Sequence, residues 1–336
     1  MVVIDFLHRF RRGFSVLLTV IVILLTLFFG FAMHYWLGWP DWIRTYGSVG
    51  FVGAALLLWF MPWNGRRFGR SALGVALAGL AVAYSLKTPV EQEWVPLHER
   101  RVAANFDGSL VRVSNFRDAV HTTGEPAVPR WGERVLDLDR LESAELILQP
   151  FGRSKATEHV MLSFRFDDGQ HVAVSMEARR TSWESFDVLA GFFRHDQIYP
   201  VIGTERDLLW KRLARDPPFQ MYFYPLEATP EALREYLRRI LAFADSLNAN
   251  PQFYSTITDS CMTALIKLAP EVFDQVPWTD YRRWVPGYSL GLLQEIGLVS
   301  QAVAAEALAE QSRLRPGIRD PREFADDAAW SAYLRQ

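Results

Sequence analysis

A chain of 336 residues that is 50% hydrophobic, 14% aromatic and 22% charged, with a formal net charge of −2, lacks the basic balance of an electrostatic nucleic-acid binder. Its hydrophobic excess lies in the first 86 residues, and the stretch after Lys87, about 250 residues, is enough for one domain with a real core, or for two. With a single cysteine, Cys261, no internal disulfide can form.

The first apolar segment, "FSVLLTVIVILLTLFFGFAMHYWL" (14–37), has 24 residues and no charge. At about 1.5 Å per residue it can cross a hydrocarbon core of roughly 30 Å. A cleaved signal peptide is the alternative, but the run is too long for one and bulky "HYWLGWPDW" follows it instead of a small-residue cleavage site. Two shorter runs rich in Gly and Ala, 47–63 and 71–86, suit helices that pack closely in lipid. The expectation is three spans between 14 and 86 after a short tail, 1–13. Arg9, Arg11 and Arg12 in the tail, and Arg66, Arg67 and Arg70 between the second and third runs, mark the cytoplasmic side; the 38–46 loop has only Arg44. The tail is then cytoplasmic, and everything after Lys87 lies outside a bacterial inner membrane. Trp36, Trp39 and Trp42 fall where an outer aromatic belt would lie.

A juxtamembrane linker is expected at 87–104, a periplasmic domain at 105–295 and a helical extension at 296–336. Strands are predicted within 109–120 and 140–151, and "EHVMLSFRFDDGQHVAVSMEARR" (158–180) carries a strong hairpin signal. Keeping Val160, Leu162, Phe164 and Phe166 on the same face as Val172, Val174 and Met176 requires a three-residue loop, Asp167-Asp168-Gly169. Paired numbers then sum to 336, and His159 faces Glu177. Thr229 and Pro230 open a helix over 229–250, and 289–314 gives one or two more. Strands in the middle and helices late indicate an α+β domain.

His159 and Glu177 on adjacent strands have the form of a general base and its orienting carboxylate, and equally of two polar residues on a solvated face. The segment "YSTITDSCMTALIKLAP" (254–270) places Cys261 where Asp259 or Ser260 can cap a helix carrying Met262, Leu265, Ile266 and Ala269 on one face. There the dipole and free N–H groups would lower the thiol pKa and hold an oxyanion. A small buried core residue is the other reading of a lone cysteine. His171 shares the face of His159 and is the alternative base. The remaining histidines lack metal-ligand spacing and no Gly-rich phosphate loop occurs, so neither metal nor cofactor is expected.

Residues from about 105 to 295 resemble the periplasmic domain family named for the bacterial lipoprotein N-acyltransferase Lnb, itself similar to permuted papain-like thiol enzymes of the NlpC superfamily. The likeness is carried by "DGSLVRVSNFRD", the hairpin, "IGTERDLL", "MYFYPLEATPEALR", "NANPQFYSTITDSCMTAL" and "VPGYSLGLL". The resemblance implies an order of His strand, polar third residue and nucleophile helix, matched here by His159, Glu177 and Cys261. It also assigns family positions to Asn115, Arg117, Arg179, Glu205, Arg206 and Asp207, as buried ion pairs or headgroup contacts. Two departures stand out. The family usually has Asn where Ser260 stands, and in the acyltransferase the membrane helices follow the catalytic domain. The expected activity is thiol acyl transfer or hydrolysis. The expected partners are membrane lipid and a lipoprotein N-terminus or cell-wall peptide, with no nucleic acid. A peptidase or peptidoglycan amidase is the alternative within that chemistry. A non-catalytic membrane-anchored binding module is the alternative outside it.

Overall fold

The uncharged stretch after Arg12 propagates a single helix, α1 (Val2–Trp36). Pro40 starts α2 (Asp41–Trp59), and α3 (Arg66–Leu86) follows. The computed structural model describes residues 2–62, 65–152, 154, 156–181 and 187–336, and falls into two units, Met1–Thr88 with Leu189–His195 and Pro89–Val188 with Asp196–Gln336. In the first unit Phe29, Ala32, Ala55, Trp59, Leu73 and Leu77 form a core with Phe193. The Phe193 ring lies between those of Phe28 and Tyr35, at 5.2 and 5.4 Å, and its carbonyl accepts from Trp36 Nε1 at 2.6 Å. α3 crosses α2 at Gly69, where a Cβ would lie 2.4 Å from the Leu58 carbonyl oxygen.

Two stretches, Phe10–Trp36 and Arg66–Leu86, are long and apolar enough to cross a membrane. The expected second span falls short. Asp41 and Arg44 occupy the first turn of α2, and residues 45–59 measure about 22 Å at 1.5 Å per residue, less than a hydrocarbon core of roughly 30 Å.

The second unit is built on a mostly antiparallel sheet of β1 (Ala103–Asp107), β2 (Leu110–Arg117), β3 (Trp131–Asp137), β4 (Leu141–Pro150), β5 (Glu158–Phe166), β6 (His171–Arg179), β7 (Gln197–Gly203) and β8 (Tyr222–Pro225). The strand order is β1-β2-β7-β6-β5-β4-β8, with β3 also on β2. β2 and β7 meet in parallel at Arg117↔Gly203, where a Cβ on Gly203 would stand 2.3 Å from the Arg117 carbonyl oxygen. After β7 come α4 (Glu205–Leu208) and α5 (Trp210–Leu213). Beyond β8 lie α6 (Pro230–Ala249), α7 (Thr263–Lys267), α8 (Pro270–Phe273), α9 (Ser289–Glu295), α10 (Ala305–Gln311) and α11 (Asp327–Leu334). The architecture is α+β.

The hairpin adopts the register that alternation predicts, from Met161↔Ser175 to Arg165↔His171. Its loop closes with Phe166 N–H donating to Gln170 O at 2.9 Å, and Gly169 takes φ +79°. Val160, Leu162 and Phe164 face α6 through Leu233, Leu237 and Ile240. Met161 points the other way, to Ile147, Trp210, Trp330 and Leu334, so residues of the stretch expected as an extension help cover that face. Within the expected linker, 87–104, residues are packed as well: Trp94 bridges to Thr181 and His98 is buried.

Candidate functional site

The site forms where the hairpin opens. β6 runs on to Arg179 alongside β7, while β5 runs back to Glu158 alongside β4, so their shared ladder ends at Met161↔Ser175 and the strands part. The bond from Phe166 N–H to Gln170 O shows that even-numbered residues of β5 turn their backbone groups toward β6. Past the last rung these groups meet Cys261 instead, with Sγ 4.0 Å from Glu158 O and facing the Val160 N–H. The thiol therefore sits in the fork.

His159 lies one residue away on the other face of the strand. Its Nε2 is 2.8 Å from Ser175 Oγ, and that hydroxyl donates to Glu177 Oε1 at 3.3 Å. With the Ser175 proton directed at Glu177, His159 Nε2 is the donor and Nδ1 keeps its lone pair. The expected direct His159–Glu177 contact is thus replaced by a relay through Ser175, the diagonal neighbour. Glu177 is enclosed by Lys211 Nζ at 3.2 Å, Arg212 Nη2 at 3.3 Å and His98 Nε2 at 3.4 Å. Burial alone would raise its pKa, but Lys211, the His98 N–H, Arg212 and Arg117 outweigh that and hold it well below the carboxylate range. Lys211 is itself lowered to about 8, chiefly by burial.

Cys261, His159, Glu177, Lys211 and Arg212 line one cavity of about 260 Å³. Burial pushes the His159 imidazole down to about 3, helped by Arg212. The thiol pKa is raised, not lowered as the helix-terminus argument expects. Burial dominates, and the N–H groups of Val160, Met262 and Cys261 only partly offset it. α7 is also just five residues long, and its leading N–H groups are already taken: Thr263 N–H donates to Ser260 Oγ at 3.3 Å and Ala264 N–H to Ser260 O at 3.1 Å. At rest a neutral thiol and a neutral imidazole share this cavity.

A second cavity, of about 560 Å³, lies on the opposite face of the sheet. Val160, Leu162, Met262, Leu265, Ile266 and Leu293 are among its walls, so the residues following His159 and Cys261 both line it. The two cavities flank the fork.

Residues 127–287 match the family model described as the Lnb N-terminal periplasmic domain. No curated protein and no solved structure matches the chain. The Lnb-type match and the apolar N-terminal helices together describe a membrane-associated protein with a periplasmic domain. The matched segment holds His159, Ser175, Glu177 and Cys261; Asn115 and Arg117 precede it.

The other residues singled out from the sequence are dispersed around the fork. His171 lies four residues along β6 from Ser175, about 13 Å away, and lines a different cavity with Asp168 and Asp327; this removes it as the alternative base. Asp259 binds Lys267 Nζ and the Thr258 hydroxyl, both at 2.6 Å, and neither it nor Ser260 is the cap of α7: the N-cap position is Met262, and Ser260 Oγ only accepts from the Thr263 N–H at 3.3 Å. Asn115 sits at the β2 bulge with φ 56°, its amide donating to Arg101 O. Arg117 pairs with Asp207, both buried. Arg179 donates to the carbonyls of His98 and Glu99 and covers the Trp94 ring. Glu205 is bound by Arg335 and Ser163, and Arg206 by Asp118. Sequence reasoning missed Ser175, His98, Lys211 and Arg212. For Lys211 and Arg212 a signal existed in the cation run of "WKRLAR". Among the described residues no group of three or more His, Cys, Asp or Glu converges as a metal site would require.

Proposed function

We propose that the second unit is a permuted papain-like thiol acyltransferase, facing the periplasm from the inner membrane with its N-terminal tail in the cytoplasm. His159 Nδ1 takes the Cys261 proton as Sγ attacks an ester carbonyl. The S–C bond forms, the ester C–O bond breaks, and the proton passes to the departing alkoxide. An acceptor amine then attacks the thioester, and the proton it gives up restores the thiol. Ser175 and Glu177 hold the imidazole and offset the charge it acquires. The observation that carries this reading is that Cys261, His159 and Glu177 line one cavity. The apolar cavity behind Met262 favours a long acyl chain over a peptide, and the Lnb likeness supports a phospholipid ester as donor and a lipoprotein α-amine as acceptor.

The raised thiol and the strongly lowered imidazole favour a second reading, a binding module that keeps the fold without the chemistry. Intact mass after exposure of the detergent-solubilised protein to an acyl-ester probe separates the two. A single adduct on wild type, absent from Cys261→Ala and slow on His159→Ala, is expected. No adduct, with Cys261 also inert to iodoacetamide in the folded protein, would replace the enzyme with the module.

A further inference from the structure

The cavity at the fork is unevenly charged. Among the described residues Arg180, Lys211, Arg212 and Arg215 line it with a single carboxylate, Glu177. Lys211 and Arg212 are engaged by that carboxylate, and Arg212 also binds Gln149 Oε1 at 2.7 Å and Leu208 O at 2.5 Å. Among the described residues the other two cations have no carboxylate partner. Arg180 offers its backbone N–H to His98, and its guanidinium has no acceptor among the described residues. Arg215 Cζ lies 4.8 Å from the centroid of the Phe219 ring, and among the described residues its guanidinium has no carboxylate partner. Phe219 lines the same cavity. Two guanidinium groups in the cavity that Cys261 lines fit a planar or tetrahedral oxyanion.

We propose that this cavity selects acyl donors that carry a phosphate or carboxylate near the scissile ester, and that Arg180 and Arg215 bind that anion. The proposal rests on Cys261 acting as the nucleophile. It adds a charge requirement on the departing part of the donor, which the thiol–imidazole pair does not itself impose.

The test compares three esters of one fatty acid on the full-length protein in detergent. One has a neutral alcohol, one an alcohol bearing a phosphate, one an alcohol bearing a carboxylate. Acyl-adduct formation is followed by intact mass over a range of probe concentrations, at low and high salt. At low salt the anionic esters are expected to acylate Cys261 about tenfold faster below saturation, with similar limiting rates. High salt should shrink that advantage, and Arg180→Gln with Arg215→Gln should bring the anionic-to-neutral ratio toward one. Arg215→Gln alone, at an exposed position, shows part of the loss without risk to folding. A phosphate preference points to a lipid headgroup, a carboxylate preference to an amino-acid or peptide ester. Equal rates for all three esters, or an advantage that survives the double variant, overturn the charge requirement alone. Absence of adduct from every ester overturns it together with the acyltransferase reading.

Discussion

Two carboxylates, the buried Asp207 and the partly buried Glu177, each gather a guanidinium and a histidine, yet they are held differently. Asp207 is fully enclosed and takes Arg117 Nε at 2.7 Å, His121 Nε2 at 2.9 Å and the Ala119 N–H at 3.0 Å. Glu177 keeps 10% exposure, and Lys211, Arg212, Ser175 and His98 all stand 3.2 to 3.4 Å from it. Asp207 lies beside the Arg117↔Gly203 junction and ties its loops together, with its oxygens fully used. Glu177 borders a cavity, and no partner holds it at an ideal hydrogen-bond distance. A carboxylate with unspent capacity can respond when its neighbour His159 becomes charged; one fixed as Asp207 is cannot. A low pKa alone does not separate the two. The length of the bonds and the presence of open space do.

The largest effect should come from Asp207→Asn, which leaves Arg117 buried without its counter-charge. A loss of about 3–5 kcal/mol is expected, read as a fall in Tm on the order of 10 °C. The same site sets an acid limit. Asp207 is lowered to about 2 from 3.8: burial opposes the shift, and Arg117 and His121 outweigh it. Its folded pKa lies below the unfolded one. Its stabilisation, roughly 2 kcal/mol, is therefore complete above about pH 4 and fades as pH falls through 2. Unfolding curves of Asp207→Asn should lack that acid slope.

Glu177→Gln should reverse the pattern, losing less than half as much stability while slowing acylation of Cys261 more than tenfold. Equal losses of Tm in the two variants, with wild-type acylation in Glu177→Gln, would erase the distinction. Ser175→Ala sharpens it. Removing the relay while Glu177 stays should slow acylation about tenfold with little change in apparent probe affinity. The smallest effect is on simple alkylation. Because the thiol is raised by burial, its reaction with iodoacetamide should keep accelerating above pH 8.5, the ordinary thiol value. A plateau below pH 8 would mean the thiolate is stabilised after all.

Much of this arrangement was legible in the sequence. Alternation along 158–180 and Gly169 fixed the hairpin register, and with it the shared face of His159 and Glu177. The fork was not legible, because it depends on β7. "QIYPVIG" is buried on both faces and carries Pro200, so it shows neither alternation nor a clean strand composition, and nothing announced a second partner for the end of β6. The relay through Ser175 was hidden for a different reason: register gives direct opposites, whereas side-chain direction chooses among diagonals. The Cys261 helix was expected to run to Ala269, but Pro270 forces the residue before it out of helical geometry and α7 stops at Lys267. His98 looked isolated because sequence spacing says nothing of a residue brought from 79 positions away to within 3.4 Å of Glu177.

The parting of β5 and β6 also makes the sheet and the thiol rivals for the same space. One more rung between the strands would satisfy the Val160 N–H and the Glu158 carbonyl by backbone pairing, and would fill the seat that Cys261 occupies. A longer zipper and an open reaction centre are mutually exclusive here. Two dangling backbone groups at the end of a hairpin are, in this protein, the socket into which a distant segment of the chain plugs its only sulfhydryl.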